Sequence, residues 1–186
     1  MTRGVVALVA FAGLAVLVAA DTLSGLDRAI LDFVQLPHSS WLDIAASIVT
    51  ALGQSEVVGS VALGVAIVRW RAGRRDWWIP LLLGLVVAIE LALKFTIPHA
   101  PVPDELSRNI RVLPFIEGPK VFVFPSGHVA RIAFLVTALR WPAGVSALVV
   151  IVVALTRIYL AEHWPSDVLG GWLLGYGIAA VARGRA

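Results

Sequence analysis

The chain has 186 residues and no cysteine, which excludes disulfides and thiolate metal sites. Hydrophobic residues make up 59% of it and its mean hydropathy is +0.89, whereas soluble domains contain about 45–50% apolar residues. Its net charge is only +3, and we expect no nucleic-acid partner. The composition excludes a water-soluble enzyme and predicts one all-α integral membrane domain spanning residues 1–186.

Six apolar segments are predicted to cross the bilayer, whose hydrocarbon core is ~30 Å thick. They cover residues 4–20, 55–70, 77–97, 126–139, 143–160 and 166–181. The first also has the pattern of a signal peptide, which is the alternative for it. The fourth is short and contains Arg131, an unusual residue at that depth.

Between the first two spans, two further helices are predicted to lie along the membrane surface. Apolar residues recur at helical spacing from Leu26 to Val34, with Asp27 on the other side, and a second apolar piece ends at Gly53. We expect both helices on the outer side, as packing elements without chemistry.

The basic residues predict the orientation of the chain. In a six-span arrangement, eight arginines fall on one side, which should be cytoplasmic: Arg3, Arg69, Arg71, Arg74, Arg75, Arg140, Arg183 and Arg185. Both termini are then cytoplasmic in a multi-pass plasma-membrane protein. The motifs described next lie at the opposite, extracytoplasmic face.

The connection 98–124 is predicted to be a lid-like loop. Its five prolines prevent a continuous helix, yet much of it is apolar. Arg108 and Arg111 on this loop contact lipid phosphates, or they contribute to the site at the outer ends of the spans.

The first chemical motif is Pro-Ser-Gly-His at residues 125–128, where the fourth span begins. Ser126 is a good N-cap, and Gly127 lets a ligand approach the backbone closely. Free N–H groups and the helix dipole at this point form an anion site. His128 follows on the first helical turn.

The second motif places Arg157 at the end of the fifth span and His163 before the sixth. Asp167 follows His163 by four residues, so their side chains meet on a helical turn. A carboxylate bonded to one imidazole nitrogen leaves the other nitrogen as a nucleophile. The alternatives are that Asp167 caps the sixth helix and that His163 is an interfacial polar residue.

Lys94 lies near the outer end of the third span, with Glu90 four residues earlier. An ionisable residue inside a span is a candidate site residue. The alternative is a lysine that extends to the headgroups.

These motifs resemble those of the type 2 phosphatidic acid phosphatases, membrane enzymes related to vanadium haloperoxidases. That family combines a lysine and a later Arg-Pro pair with Pro-Ser-Gly-His and with Ser-Arg followed by His and Asp. Residues 125–128 match fully, as do Arg157, His163 and Asp167, with Thr156 in place of the usual serine. The resemblance covers residues 94–171 and fits the six-span layout.

The resemblance implies roles for the matching residues. His163 would attack phosphorus and form a phosphohistidine, oriented by Asp167, and His128 would protonate the leaving group. The nonbridging oxygens would be held by Lys94, Ser126, Gly127 and Arg157. It implies no metal and no cofactor.

The first family motif is broken, because Pro101 and Val102 stand where the family has its Arg-Pro pair. We expect Arg131, on the same helical face as His128, to replace the missing arginine. The alternatives are that Arg131 pairs with Glu90, and that Arg108 or Arg111 is the replacement.

The sequence therefore predicts a metal-independent lipid phosphate or diphosphate phosphatase acting at the outer leaflet. A polyprenyl substrate is expected first, then phosphatidic acid or phosphatidylglycerophosphate. The competing functions are a phosphotransferase that passes phosphate to an acceptor hydroxyl, and a non-catalytic lipid binder or transporter. Partners are the lipid substrate and the membrane, and no protein partner is predicted.

Overall fold

The computed structural model describes residues 2–110 and 121–184, and within these ranges the regular structure is entirely helical. The α-helices are α1 Thr2–Ala19, α2 Ser24–Val34, α3 Ser40–Thr50, α4 Ser55–Arg71, α5 Leu83–Thr96, α6 Gly127–Ala138, α7 Ala143–Tyr159 and α8 Pro165–Arg183. Short 3-10 turns occupy Ala51–Gly53, Ile79–Leu82 and Asp104–Leu106. The all-α prediction is confirmed, and each of the six apolar segments contains a helix.

Three helical stretches are long and apolar enough to cross a membrane by length and composition. They are Thr2–Ala19, Ser40–Arg71 and Ile79–Thr96, the second of which joins α3 to α4 through a 3-10 turn. The apolar helices α6 and α7 are shorter. A membrane protein is supported, and the number of six spans stays a prediction.

Helix α6 is the centre of the bundle and packs against α4, α5, α7 and α8. Ten of its residues are buried along a helix of 12. At about 1.5 Å per residue it is only about 18 Å long, shorter than the ~30 Å core of a bilayer. The fourth apolar segment is therefore a short helix that is largely surrounded by other helices.

Glycines allow α8 to approach both α6 and α1 closely. A Cβ added to Gly171 would overlap the carbonyl of Ser126, the N-cap residue of α6, and one added to Gly175 would overlap the carbonyl of Ala130 within α6. One added to Gly4 would overlap the backbone of Val181. Contacts through small residues are typical of helices packed within membranes. They fix the start of α8 against the start of α6, where the two motifs lie.

The basic residues gather at the opposite end of the bundle. Arg183 donates to the carbonyl of Thr137 at 3.0 Å, at the C-terminal end of α6. Arg3 and Arg140 line the same cavity as Arg183. The chain thus has one arginine-rich end and one end that carries the motif residues.

Asp27 lies on the opposite side of α2 from the exposed Leu26 and Phe33, as predicted, and that side is buried against the bundle. Its carboxylate accepts hydrogen bonds from the backbone N–H and the hydroxyl of Ser166, at 2.8 and 2.6 Å. These bonds tie α2 to the first turn of α8. Asp32 does lie at the surface, where it pairs with Arg28.

The described parts of the connection 98–124 are bonded to the bundle. Val123 donates its N–H to the carbonyl of His99 at 3.2 Å, and Arg108 donates its N–H to that of Leu160 at 3.2 Å. Residues 111–120, including Arg111, lie outside the described residues. The lid role stays a prediction.

Candidate active site

The two motifs meet where α6 and α8 begin. The N–H of Ser126 donates to the carbonyl of Asp167 at 2.9 Å. The ring of His128 is close enough to His163 and to three cations for electrostatic interaction, and the cations are Lys94, Arg131 and Arg157. All eight residues proposed from the sequence therefore belong to one cluster.

Asp167 both caps α8 and faces His163. Its carboxylate is fully buried and accepts the N–H of Trp164 at 2.9 Å. The same oxygen lies 3.4 Å from Nδ1 of His163. Because a carboxylate only accepts, Nδ1 of His163 carries the proton and Nε2 keeps its lone pair. The capping and orienting roles of Asp167 are compatible.

The environment of His163 favours the neutral ring. Burial lowers the pKa of His163 below its usual value, and the hydrogen bond to Asp167 opposes this change only in part. The nearby Arg157 and Lys94 lower the pKa of His163 further. At neutral pH the ring therefore presents an unprotonated nitrogen.

His128 has the opposite tautomer. Its Nδ1 lies 3.5 Å from Nη2 of Arg131, and a guanidinium only donates. The proton of the neutral ring is then on Nε2. That nitrogen is buried and has no hydrogen-bond partner among the residues that the structure describes.

Two further polar atoms of this cluster are buried without a partner within the described chain, Oγ of Ser126 and Nε of Arg157. Ser126 occupies the N-cap position of α6, but its hydroxyl makes no capping hydrogen bond. Arg157 is held through its other nitrogens by Thr50 at 3.1 Å and Glu162 at 3.2 Å. Unsatisfied buried donors are rare in folded proteins, and these are suited to an anion.

Glu90 lies between two cations of the cluster. One of its oxygens is 2.8 Å from Nζ of Lys94 and the other is 2.8 Å from Nη1 of Arg131. Arg131 also donates from Nε to the carbonyl of Gly53 at 3.0 Å. The pairing of Arg131 with Glu90 is thus present, and its Nη2 is the nitrogen directed at His128.

The structure gives a second reason for a glycine at position 127. A Cβ at Gly127 would overlap the carboxylate of Glu90. The missing side chain therefore makes room for the charge that holds Lys94 and Arg131. A phosphate-binding role for the Gly127 backbone stays a prediction.

The guanidinium of Arg108 lies over the ring of Tyr159, 5.7 Å from its centroid. This contact holds the segment 98–124 against the end of α7. Arg111 lies outside the described residues, so the structure compares only Arg131 and Arg108 as replacements for the missing arginine. Of these two, Arg131 contacts a motif histidine.

Sequence reasoning missed two residues behind the site. His99 is buried and bonds through Nδ1 to the second oxygen of Asp167 at 2.8 Å. Asp27 lies on the far side of His99, 3.9 Å from its Nε2. A signal existed for His99, which lies within the broken first motif, but the sequence held none for Asp27.

Among the residues with described positions, no group of three or more His, Cys, Asp or Glu side chains is arranged to hold a metal ion. The clustered histidines instead face carboxylates and guanidinium groups, as described above.

Comparisons with known proteins identify a family and several similar proteins. The family model described as PAP2 superfamily matches residues 75–184. An undecaprenyl-diphosphatase of Sulfolobus acidocaldarius is 28% identical over 135 residues, which are 60% of this chain and 65% of that protein. The putative undecaprenyl-diphosphatase YbjG of Escherichia coli is 28% identical over 103 residues, 50% of each chain. The chain thus spans less than two thirds of either relative.

A solved structure has the same fold. It is the crystal structure described as the first transmembrane PAP2 type phosphatidylglycerolphosphate phosphatase from Bacillus subtilis. The TM-score is 0.79 at 23% identity, and the match covers 100% of this chain and 96% of the other. The two structures therefore match over the whole helical bundle and not only around the motifs.

Proposed function

The chain belongs to the PAP2 superfamily, and we propose that it is a membrane phosphatase of lipid phosphates, with a polyprenyl diphosphate or monophosphate as its substrate. Two relatives with undecaprenyl-diphosphatase names support this order of substrates. Phosphatidic acid and phosphatidylglycerophosphate are the next candidates, and the fold shared with a phosphatidylglycerolphosphate phosphatase is compatible with them.

The observation that carries the proposal is the opposite tautomers of two neighbouring imidazoles. Asp167 leaves a lone pair on Nε2 of His163, and Arg131 leaves a proton on Nε2 of His128. His163 is thereby ready to attack, and His128 carries a hydrogen on Nε2, from which its imidazolium form protonates the leaving oxygen in this proposal. This pairing is what covalent catalysis with general acid assistance requires.

The reaction follows in two steps. Nε2 of His163 attacks phosphorus, a P–N bond forms, and the bond from phosphorus to the leaving oxygen breaks while His128, in its imidazolium form, donates its Nε2 proton to that oxygen and becomes neutral. Water then attacks phosphorus and gives a proton to Nε2 of the neutral His128, the P–N bond breaks, and inorganic phosphate leaves. Phosphoryl transfer depends mainly on positioning and charge stabilisation, which Lys94, Arg157 and Ser126 supply in this proposal.

The active site faces the extracytoplasmic side in this proposal. The arginine-rich end of the bundle is opposite the motif end, and cytoplasmic segments are enriched in basic residues. The phosphate of the substrate then lies at the outer leaflet and its tail among the helices. Six spans place both termini in the cytoplasm.

The test is a phosphate-release assay with purified protein in detergent, with chelator present throughout. Substrates are a polyprenyl diphosphate, a polyprenyl monophosphate, phosphatidic acid and phosphatidylglycerophosphate. We expect release with the wild type and none with His163→Ala. The matched control is His38→Ala, because His38 is exposed and its ring contacts the carbonyl of Leu36, away from the candidate site.

Acid-quenched reactions should also yield a phosphorylated protein that is absent from His163→Ala. A phosphorylated lipid or glycan product in place of inorganic phosphate would identify a phosphotransferase. Absence of turnover with every lipid phosphate would reject the proposed activity in favour of a lipid-binding role.

A further inference from the structure

We propose that His99 is a positioning residue for His163 and acts on it through the carboxylate of Asp167, which the two imidazoles share. Asp27 holds His99 from the opposite side. The role in turnover rests on the proposed phosphatase function, whereas the sharing of Asp167 is a property of the resting protein.

The hydrogen bonds of Asp167 are divided unequally between the two rings. Its Oδ1 accepts from Nδ1 of His99 at 2.8 Å, while its Oδ2 lies 3.4 Å from Nδ1 of His163. Oδ2 also accepts the N–H of Trp164 at 2.9 Å. The shorter imidazole contact of this buried carboxylate is therefore the one to His99.

His99 is held in place from several directions. Its carbonyl accepts the N–H of Val123, and the indole N–H of Trp164 donates to the carbonyl of Ala100 at 2.8 Å. Asp27, fixed by its two hydrogen bonds from Ser166, lies 3.9 Å from Nε2 of His99. Such support is what a positioning residue requires.

The carboxylates around position 99 explain why a histidine fits there. Three carboxylates act on the ring of His99, those of Asp167, Asp27 and Asp21. Burial alone would lower the pKa of His99, but the hydrogen bond to Asp167 and these carboxylates together raise it above the usual value. A protonated His99 between Asp27 and Asp167 partly neutralises two buried carboxylates.

The sharing has a consequence for the reaction. When His163 bonds to phosphorus its ring becomes positive, and its hydrogen bond to Asp167 becomes charge-assisted and therefore shorter and stronger. The bond from His99 to the same carboxylate limits the basicity of Asp167, so that the Nδ1 proton stays on His163. His99 thus helps to keep the Nδ1 proton on His163 without contacting the phosphate.

The location of His99 also bears on the broken first motif. His99 lies two residues before Pro101, the position at which the family pattern has its arginine. In this chain the same segment contributes an imidazole to the carboxylate side of the site. On the phosphate side, Arg131 from α6 lies beside His128.

The first test compares steady-state kinetics of His99→Ala and His99→Asn with the wild type. Loss of a supporting partner in such a network typically costs about 10–100-fold in activity. We expect that loss in kcat for His99→Ala, with KM changed by less than about twofold because substrate contacts remain. The asparagine keeps a neutral N–H donor, so it should restore most of kcat at neutral pH and remove the titration of His99 from the pH profile.

The second test does not depend on turnover. The chain has four histidines, so imidazole 15N resonances of histidine-labelled protein are assignable with single substitutions. His99→Asn and Asp27→Asn should shift the ring signals of His163, whereas His38→Ala should leave them in place. The asparagine variants replace polar groups with polar groups, which protects folding.

The two tests separate the two proposals. A wild type without phosphatase activity, but with His163 signals that respond to His99, would reject the proposed function and leave His99 as the residue that positions this imidazole. Unchanged His163 signals in His99→Asn, or wild-type kcat and pH profile in His99→Ala, would overturn the role of His99.

Discussion

Nη1 of Arg131 lies 2.8 Å from Glu90, whose other oxygen is 2.8 Å from Nζ of Lys94. Glu90 is buried in α5, and it therefore holds together two cations from α5 and α6. The same guanidinium reaches His128 through Nη2. A charge that looks anomalous in a short apolar segment thus connects the Glu90–Lys94 pair of α5 to His128.

Arg131→Lys should lower kcat/KM by ~10²-fold, the loss typical for one preorganised donor. Lysine keeps the charge but lacks the planar fork that serves Glu90, Gly53 and His128 together. Phosphate release by the purified variant measures the effect. Arg28→Lys, in an exposed pair with Asp32, is the control and should be silent.

Arg131→Ala should also reduce stability, by about 3–5 kcal/mol, because it removes one partner of a buried ion pair. Thermal unfolding in detergent separates this loss from catalysis. Wild-type activity in both the Lys and the Ala variant would show that Arg131 does not replace the missing arginine.

His128→Asn should affect monophosphate substrates more than diphosphates. A phosphate leaving group, with a second pKa of about 6, departs without a full proton, whereas an alkoxide needs one. General acid assistance contributes ~10²–10⁴-fold, and we expect a loss of that size with a polyprenyl monophosphate. The loss with the diphosphate should be at least about tenfold smaller, because its phosphate leaving group needs less proton transfer than an alkoxide does. Equal losses on both substrates would argue against proton donation by His128.

The pH dependence should reflect the neutral form of His163. Because burial lowers its pKa, a larger fraction of His163 is unprotonated at any given acidic pH than for a free imidazole. The acid limb of kcat/KM should therefore lie below pH 6.5, the unperturbed value. A limb at or above that pH would contradict the assignment of His163 as the nucleophile.

Asp167→Asn extends the same experiment. Asp167 raises the pKa of His163 against the effect of burial, so its removal should move the acid limb to still lower pH. Activity on the plateau should fall as well, because the tautomer of His163 is no longer fixed. If the acid limb stays at the same pH, the ionisation of another group determines it.

Gly175→Ala should destabilise the protein, because a Cβ there would overlap the backbone of Ala130 in α6. Overpacking a tight contact costs about 1–3 kcal/mol. Gly64→Ala is the matched control, since nothing lies within 4 Å of a Cβ at that position. Alanine there should be neutral or stabilising by up to about 1 kcal/mol, owing to helix propensity. Thermal unfolding of both variants in detergent measures the two effects. Equal unfolding temperatures would refute the close packing of α8 on α6.

The orientation is accessible to single-cysteine labelling, because the chain has no cysteine of its own. His38→Cys and Arg75→Cys each place a thiol at an exposed position between helices. An impermeant maleimide added to intact cells should label the first variant only, and both after lysis. The reverse pattern would place the candidate site on the cytoplasmic side.

The motif residues were predictable because their spacing is local. His163 and Asp167 lie four residues apart across the start of α8, and His128 and Arg131 lie three apart on α6, so local structure brings each pair together. The apolar segments likewise identified the helices from composition. The burial of Asp27 was not predictable, because its hydrogen-bond partner Ser166 is 139 residues away in the chain.

Composition and residue spacing were enough to predict a helical chain, apolar enough for a membrane, that carries two histidines, a carboxylate and basic residues in a recognisable order. The charges that face each other became visible only in the folded chain: Glu90 between Lys94 and Arg131, and Asp167 between His163 and His99. The physical reason is that periodicity specifies neighbours within one helix. Contacts between helices depend instead on the packing of whole faces, here permitted by glycines of α8 and by the central position of α6.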